Sequence, residues 1–194
     1  VAQTLTARLA DTNALVRQNI VQTLVVLGES ATPEIQTALR ARLADPRRNV
    51  RVAAAPAFLS TLNFDSLAGA EFLHMLRHNA DQPGGQMQFG GLALARGDST
   101  NAVRYFQKAA SWDPYSPGIR HELAIVLSQL GRPQEALREL QEAVRLAPRD
   151  AELRFKLALA WNELGDSRRV LTELEEAVKL DSRHARAQYN LGLA

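Results

Sequence analysis

Two histidines four residues apart, His74 and His78, are the side chains whose type and spacing come nearest to a metal site. On a helix this spacing places both imidazoles on one face, as in the H-E-x-x-H zinc motif. Met75 occupies the position of the glutamate that acts as general base in that motif, and no third ligand is evident. We therefore expect no metal here and interpret the pair as part of a solvated helix face.

Other combinations with catalytic potential are also incomplete. His121 and Glu122 are adjacent, so on a helix they point to different sides and do not form a pair. The glycine pairs at 84–85 and 90–91 are not followed by the Lys-Ser/Thr of a phosphate-binding loop, and cysteine is absent. No Ser-His-Asp arrangement can be assembled. The sequence predicts a protein that is not an enzyme and that has no cofactor.

Composition and charge are those of an ordinary globular chain. Of 194 residues, 46% are hydrophobic and 23% are charged, and the formal net charge is +2. Abundant Ala and Leu favour helix. No apolar run approaches the roughly 18 residues of a membrane span, so no membrane insertion is expected. The absence of cysteine leaves the compartment open, and a first residue Val1 within a helical pattern suggests a fragment of a longer protein.

A cluster of arginines could attract an acidic partner. It consists of Arg40, Arg42, Arg47, Arg48 and Arg51. Nucleic-acid surfaces of this kind usually interleave aromatic side chains with the charges, and none are present here. We expect a solvated edge and no nucleic-acid partner.

Internal repetition is the strongest pattern in the chain. "LADTNALVR" at 9–17 returns as "LADPRRNVR" at 43–51, thirty-four residues later. The second half divides at the same period into units 83–116, 117–150 and 151–184, and a fourth unit begins at Ala185 and stops. A fixed period of this length indicates stacked supersecondary units.

The units of the second half resemble the tetratricopeptide repeat. The first-helix pairs of the family are matched at 89–90, 123–124, 157–158 and 191–192. Its turn glycine is matched by Gly97, Gly131 and Gly165. Its second-helix alanines are matched by Ala102, Ala136, Ala109, Ala143 and Ala177, with Val170 as a departure, and its closing proline by Pro114 and Pro148, with Ser182 as a departure.

The residue types at the turns and helix ends are consistent with two helices per unit. Small residues let the paired helices approach closely, and a left-handed turn residue favours glycine. Ser116 and Asp150 stand where a helix N-cap belongs, while Pro117 and Pro133 stand in first turns, where a missing N–H does no harm. One hairpin cannot bury its apolar faces alone, so neighbouring hairpins must stack.

The first third of the chain resembles HEAT repeats. Each copy of the 34-residue pattern ends one helix at an aspartate and places Val-Arg one turn into the next. The resemblance implies that Asp11 pairs with Arg17 and Asp45 with Arg51. Pro56 departs from the family because it interrupts a helix that HEAT repeats continue.

These readings predict an all-α fold, a right-handed α-solenoid of stacked antiparallel helix hairpins, HEAT-like followed by tetratricopeptide units. Residues 1–64 would be HEAT-like, 65–82 a bridging helix, and 83–194 three tetratricopeptide units plus a truncated fourth. No Ser/Gly/Pro-rich tract separates the parts, so one continuous solenoid is expected.

The tetratricopeptide resemblance implies a partner-binding groove along the concave face, lined by the first helix of each unit. The positions it assigns to this groove are Met87, Leu94, His121, Ile125, Ser128, Phe155, Leu159, Asn162 and Tyr189.

One variant of the family clamps a peptide carboxylate with Lys, Asn, Asn, Lys and Arg. The corresponding residues here are Met87, Gly91, Glu122, Glu152 and Lys156. Only Lys156 has the right character, and Glu152 would repel a carboxylate. No chaperone-tail clamp is expected.

The leading functional hypothesis is a non-enzymatic scaffold that binds a peptide or partner domain in this groove. Two alternatives remain open. HEAT-like units followed by tetratricopeptide units are similar to the C-terminal part of some bacterial multihaem c-type cytochromes, which implies a docking or stabilising appendage of a periplasmic redox enzyme instead of a cytoplasmic protein. The third hypothesis is self-association through the helix from Ala185, where Leu191 and Leu193 lack a following helix.

Overall fold

The computed structural model describes residues 2–27 and 31–193, and within these ranges the chain is helical and contains no β-strand. The described residues fall into two compact units with a boundary after Ala80. The N-terminal unit contains α1 Ala2–Ala7, α2 Ala14–Val25, α3 Pro33–Ala41, α4 Arg48–Ala54 and α5 Leu67–His78. The C-terminal unit contains α6 Pro83–Ala95, α7 Ser99–Trp112, α8 Pro117–Gln129, α9 Pro133–Leu146, α10 Ala151–Glu163, α11 Ser167–Leu180 and α12 Ala185–Leu193.

The C-terminal unit is a stack of helix hairpins. Helices α6/α7, α8/α9 and α10/α11 form the three hairpins, whose first and second helices we call helix A and helix B. Helix B of each hairpin packs against the next helix A, and α12 supplies the last helix A. The predicted all-α fold of stacked hairpins is therefore confirmed, whereas the handedness of the stack and the predicted domain boundaries stay predictions.

Local sequence signals set the helix boundaries. The Ser116 hydroxyl accepts from the amide of Ile119 at 3.4 Å and the Asp150 carboxylate accepts from the amide of Leu153 at 3.1 Å, so both predicted N-caps are confirmed. Helices α8 and α9 begin at prolines, as expected. In the N-terminal unit α4 ends at Ala54, and Pro56 lies in the 3₁₀ turn that follows.

Three glycines close the A helices. Gly97, Gly131 and Gly165 have φ of 74°, 68° and 77°, the left-handed region that was predicted. At Gly131 the amide donates to the Ser128 carbonyl, and the next amide, that of Arg132, reaches back to the Leu127 carbonyl at 2.9 Å. This Schellman geometry satisfies the last carbonyls of α8 and turns the chain into α9. The same bonds recur after α6 and α10.

Small residues line the contact between helices A and B. Ala124 and Ala158 on the A helices and Ala143 and Ala177 on the B helices are at most 1% exposed. In the first hairpin a Cβ built on Gly90 would lie 2.6 Å from the Phe106 ring, so that helix pair has no room even for a methyl group. This repeated close approach fixes each A helix on its partner.

The N-terminal unit combines an apolar core with buried ion pairs, and here both ion pairs expected from the HEAT resemblance, Asp11–Arg17 and Asp45–Arg51, are wrong. The Arg17 guanidinium donates to both oxygens of Asp45, at 2.8 and 2.9 Å, and not to the Asp11 carboxylate. Its contact with Asp11 is to the backbone carbonyl, at 2.7 Å. Arg51 likewise pairs with the Glu71 carboxylate. Its contact with Asp45 is to the backbone carbonyl and not to the side chain. Each arginine thus ties its own repeat to the following helices.

The turn glycines give a first stability prediction. Replacing Gly131 by Val should destabilise the protein by about 1–2 kcal/mol, because a β-branched residue is strained at positive φ. Gly91→Ala is the matched control. Gly91 lies within helix α6 with open space around an added Cβ, so alanine should stabilise by about 0.5–1 kcal/mol. Urea unfolding of both variants tests the pair, and equal stabilities would contradict the turn geometry.

The Arg17–Asp45 pair predicts acid sensitivity of the N-terminal unit. Burial raises the pKa of the Asp45 carboxyl, but the hydrogen bonds and charge of Arg17, the Arg47 amide and the Arg42 charge together hold this pKa below its ordinary value. The pair should therefore stabilise the fold above about pH 4 and lose its effect as pH falls further. Asp45→Asn should cost about 3 kcal/mol at pH 7 by leaving a buried cation without its counter-charge, and the cost should shrink in acid.

Hydrogen exchange of amides in α2 and α4 measures the stability of the N-terminal unit directly. Tryptophan fluorescence would not report on this unit, because both tryptophans, Trp112 and Trp161, lie in the C-terminal unit. Asp65→Asn, at an exposed carboxylate of the same unit, is the control and should change little. A pH-independent cost for Asp45→Asn would contradict the proposed role of its charge.

Candidate functional site

The A helices of the C-terminal unit present apolar side chains to solvent, and most residues predicted for the groove lie among them. Ile125 is 36% exposed, Leu159 40% and Tyr189 69%, and Asn162 is also exposed. Met87, Leu94, His121 and Ser128 are half-buried. The surface on helices α8, α10 and α12, which we call the groove, therefore has unpartnered apolar side chains beside polar ones.

Two open pockets lie along the groove. Pocket I, of about 200 Å³, lies between α8 and α10 with helix α9 beneath it. Ile125 and Leu159 form its walls, Ala136 and Leu140 of α9 its floor, and His121 and Lys156 part of its rim. Pocket II, of about 250 Å³, lies between α10 and α12, with Leu159 and Leu193 as walls and Val170 and Leu174 of α11 as floor. Of the nine predicted residues, His121, Ile125, Ser128, Leu159 and Asn162 line these pockets.

Phe155 is placed differently from what the groove assignment implies. Its ring is 3% exposed and belongs to the core of the C-terminal unit. The His184 ring lies 5.1 Å from it, and the Arg186 guanidinium carbon lies 5.1 Å from its centroid. Both covering residues come from the turn and helix that follow α11, so the helix-A pattern alone did not reveal them.

A cluster of charges surrounds Glu152 at the start of α10. Its carboxylate is contacted by His184 Nε2 at 2.8 Å, Arg186 at 2.7 Å and Lys156 at 3.4 Å. Burial raises the pKa of Glu152, but the His184 hydrogen bond and the charges of Arg186 and Lys156 outweigh it, so the pKa lies below its ordinary value. One carboxylate thus faces three basic side chains, and positive charge is in excess at this end of the groove.

Other sequence candidates are not assembled into a site. His74 and His78 are exposed on α5. Within residues 2–27 and 31–193, no group of three or more His, Asp and Glu side chains is close enough to hold a metal ion. No helix of the described chain is long and apolar enough to cross a membrane.

The arginine cluster is largely engaged by other protein groups. Arg42 donates to the Leu9 carbonyl at 2.8 Å, and the guanidinium carbon of Arg40 lies 4.4 Å from the centroid of the Phe58 ring. With Arg51 bound to Glu71, Arg47 and Arg48 are the exposed members that remain outside these contacts. This favours the solvated-edge interpretation.

The N-terminal unit has two larger cavities that sequence reasoning did not identify. One, of about 660 Å³, is lined by apolar side chains such as Val52 and Met75 together with polar ones, of which Asn49 donates to Gln18 at 2.6 Å. The other, of about 770 Å³, is lined by Asp45 and Arg51, which are both held in buried ion pairs. Asn49, Asp45 and Arg51 are thus already engaged by other protein groups, whereas the groove presents exposed aliphatic side chains, which makes it the better candidate for a binding site.

The fold is a stack of helix hairpins with exposed apolar side chains on the A helices, and comparison with known families identifies a similar repeat. Residues 93–161 match the family model described as tetratricopeptide repeat. No curated protein sequence matches the chain.

Several solved structures share the fold. TTC0263, a thermophilic TPR protein of Thermus thermophilus, has 16% identity and a TM-score of 0.60, over 99% of this chain and 97% of that one. YrrB, described as a TPR protein with an unusual peptide-binding site, has 15% identity and a TM-score of 0.57, over 98% of both chains. The first TPR of Spaghetti (RPAP3), solved with the HSP90 peptide SRMEEVD, has 18% identity and a TM-score of 0.52, over 57% of this chain and 89% of that one.

At these identities the likenesses show the fold alone, and they confirm the all-α solenoid class. The HEAT-like character of residues 1–64, the cytochrome resemblance and self-association stay predictions. On α12, Leu193 is 70% exposed, while Leu191 is half-buried against the core, so only one of the two leucines named for self-association is open.

The Glu152 cluster gives a prediction for α12. Glu152→Gln removes the charge that holds His184 and Arg186, so amides of α12 should exchange about two- to fivefold faster at pH 7. Because the pKa of Glu152 is lowered in the folded protein, this stabilisation should fade as pH falls below about 4.3. Glu175→Gln, at an exposed position on α11, is the control. Unchanged exchange in the Glu152 variant would show that the cluster does not hold α12.

Proposed function

We propose that the C-terminal unit is a non-enzymatic scaffold that holds a peptide segment of a partner protein in the groove. The observation that carries this proposal is the pair of open pockets walled by Ile125, Leu159 and Leu193. These three side chains are between 36% and 70% exposed, although aliphatic residues at neighbouring helix positions are buried. A row of open apolar pockets beside polar groups is what a peptide-binding surface requires.

Two proteins of similar fold support the proposal of peptide binding. YrrB is described as having a peptide-binding site, and the Spaghetti repeat was solved with a bound HSP90 peptide. In this chain the position of the expected anchor Phe155 is closed by His184 and Arg186, so the binding surface that we propose consists of the two pockets rather than of all nine predicted residues.

Selection from a random decapeptide library against the whole chain tests the proposal. Peptides selected on the wild-type protein should bind with micromolar affinity and lose at least about tenfold in affinity to Ile125→Glu/Leu159→Glu, because both pocket walls become charged. Far-UV circular dichroism should show retained helix, since both residues are exposed.

Gln141→Glu is the matched control, because it adds a negative charge at an exposed position of α9 outside both pockets. It should leave peptide affinity within about twofold of wild type, as expected for an isolated surface charge. Peptides that bind the double variant as tightly as the wild type would overturn the proposed function.

A further inference from the structure

The N-terminal unit contains a cavity that the proposed function does not use. It is the cavity of about 660 Å³, and it spans three helices that pack against one another in order, α2 on α4 and α4 on α5. Its described lining combines three amides and one arginine with apolar side chains, which are Val25, Val52, Ala53, Pro56 and Met75. An apolar majority with a few polar groups is the composition of a binding site.

Arg48 is the charged member of this lining, and its charge is not neutralised by an ion pair. The side chain is exposed, and within the described chain no carboxylate lies at ion-pair distance from it. The Arg51 hydrogen bonds lower the pKa of the Glu71 carboxyl and the Arg48 charge adds to this effect, but both oxygens of Glu71 are bound by Arg51. Arg48 also begins α4, where the helix dipole disfavours a cation. Neither an ion pair nor the helix dipole therefore stabilises the cation at this position.

The charge of Arg48 determines the charge of a ligand. Covering a cation removes water from it, which is costly unless the occupant supplies a counter-charge. None of the described residues that line the cavity is acidic, so the lining does not supply this counter-charge itself. An occupant that covers Arg48 therefore has to carry a negative charge.

The three amides of the lining suit a peptide backbone. Asn49 and Gln18 join α4 to α2 through the hydrogen bond between their side chains. That bond uses one donor and one acceptor, so the pair keeps an N–H and a C=O for a ligand, whichever of the two amides donates. Gln22 is exposed one turn after Gln18 and offers both groups as well. Neighbouring donors and acceptors match the N–H and C=O groups along an extended chain.

The open form of the cavity favours a segment of a protein over a small molecule. Gln22, Arg48 and Pro56 are exposed, so the cavity covers one side of its occupant and leaves the other side in solvent. Small molecules are bound where most of their surface is buried. An extended peptide tolerates partial cover, because its affinity is spread over several residues and over its backbone hydrogen bonds.

We propose that this cavity is a binding site separate from the groove, and that it takes an extended acidic segment of a partner protein. An acidic side chain of the segment pairs with Arg48, its backbone bonds the three amides, and an aliphatic side chain contacts Val52 and Met75. The exposed ion pair contributes selectivity for acidic segments, while the apolar contact and the backbone bonds supply most of the affinity.

Peptide selection on the whole chain with Ile125→Glu/Leu159→Glu tests the inference, because this variant blocks the groove and leaves the cavity intact. Decapeptides selected from a random library should contain Asp or Glu together with aliphatic residues. Fluorescence polarisation measures their affinity. Adding Arg48→Glu to the same chain should weaken binding at least about tenfold, because attraction becomes repulsion. An acidic residue suits the first turn of α4, so far-UV circular dichroism should show retained helix.

Arg77→Glu is the matched control. It reverses an exposed charge on α5 two residues from Met75, and residues two apart on a helix do not share a face. This variant should leave the affinity within about twofold. A peptide whose acidic residue is replaced by its amide should bind about threefold to fivefold more weakly to the chain with Arg48. The same peptide should regain affinity for the Arg48→Glu chain, which a structural effect of this substitution would not produce.

Selected peptides without an acidic residue, or peptides that bind the Arg48→Glu chain as tightly as its parent, would overturn the inference. Recovery of no binding peptide would overturn it as well. These outcomes leave the proposed function intact, because that function is tested on the wild-type chain by dependence on Ile125 and Leu159. If peptides selected on the wild type depend on Arg48 and not on those two residues, the proposed function fails and the acidic-segment site stands.

Discussion

The close approach of helix A and helix B within each hairpin is the constraint on which the C-terminal unit depends. It exists because each hairpin places residues with little or no side chain at the contact, such as Ala124, Ala158 and Ala143, and because a left-handed glycine ends each A helix. Larger residues would push the helices apart and change the spacing of all hairpins that follow. Two ion pairs link helix A to helix B and repeat at the same period: Arg120–Glu139 at 2.8 Å and Arg154–Glu173 at 2.9 Å. They fix the orientation of each A helix relative to its B helix near the surface.

The two units stabilise their stacked helices by different physical means. The C-terminal unit relies mainly on apolar contacts between small and aliphatic side chains, and its ion pairs, such as Arg120–Glu139, are partly exposed. The N-terminal unit adds the buried pairs Arg17–Asp45 and Arg51–Glu71, whose partners lie in successive helices. Buried charges require their counter-charges, so these pairs specify which helix follows which more than they add net stability.

Most of the fold could be predicted from the sequence because its signals are local. The turn glycines, the N-caps Ser116 and Asp150 and the buried alanines act within one hairpin, and each recurs at a fixed offset. The ion-pair partner of Arg17 could not be predicted from the sequence. The aspartates of two successive repeats carry the same sequence context, and only the packing of the helices decides that Asp45, not Asp11, faces the guanidinium.

The candidate site was predicted in part, for a similar reason. The helix-A pattern correctly placed Ile125, Leu159 and Asn162 on exposed positions, because amphipathic periodicity reports which face a residue occupies. It could not report that residues after α11 fold back over Phe155. It considered Lys156 only as part of a carboxylate clamp that the sequence does not match. The 34-residue period that relates Leu159 to Leu193 could have identified the second pocket.

The two pockets of the groove repeat one arrangement of side chains with local variation. From pocket I to pocket II the structural residues change little, with Leu140 followed by Leu174 on the floor and Leu159 by Leu193 on the wall. The rim changes more, since Lys156 is followed by Asn190. The floor is constrained because it is also the contact between helices A and B, whereas a rim side chain can change without moving a helix. The repeat therefore keeps the wall and floor of each pocket nearly constant and leaves its rim free to vary.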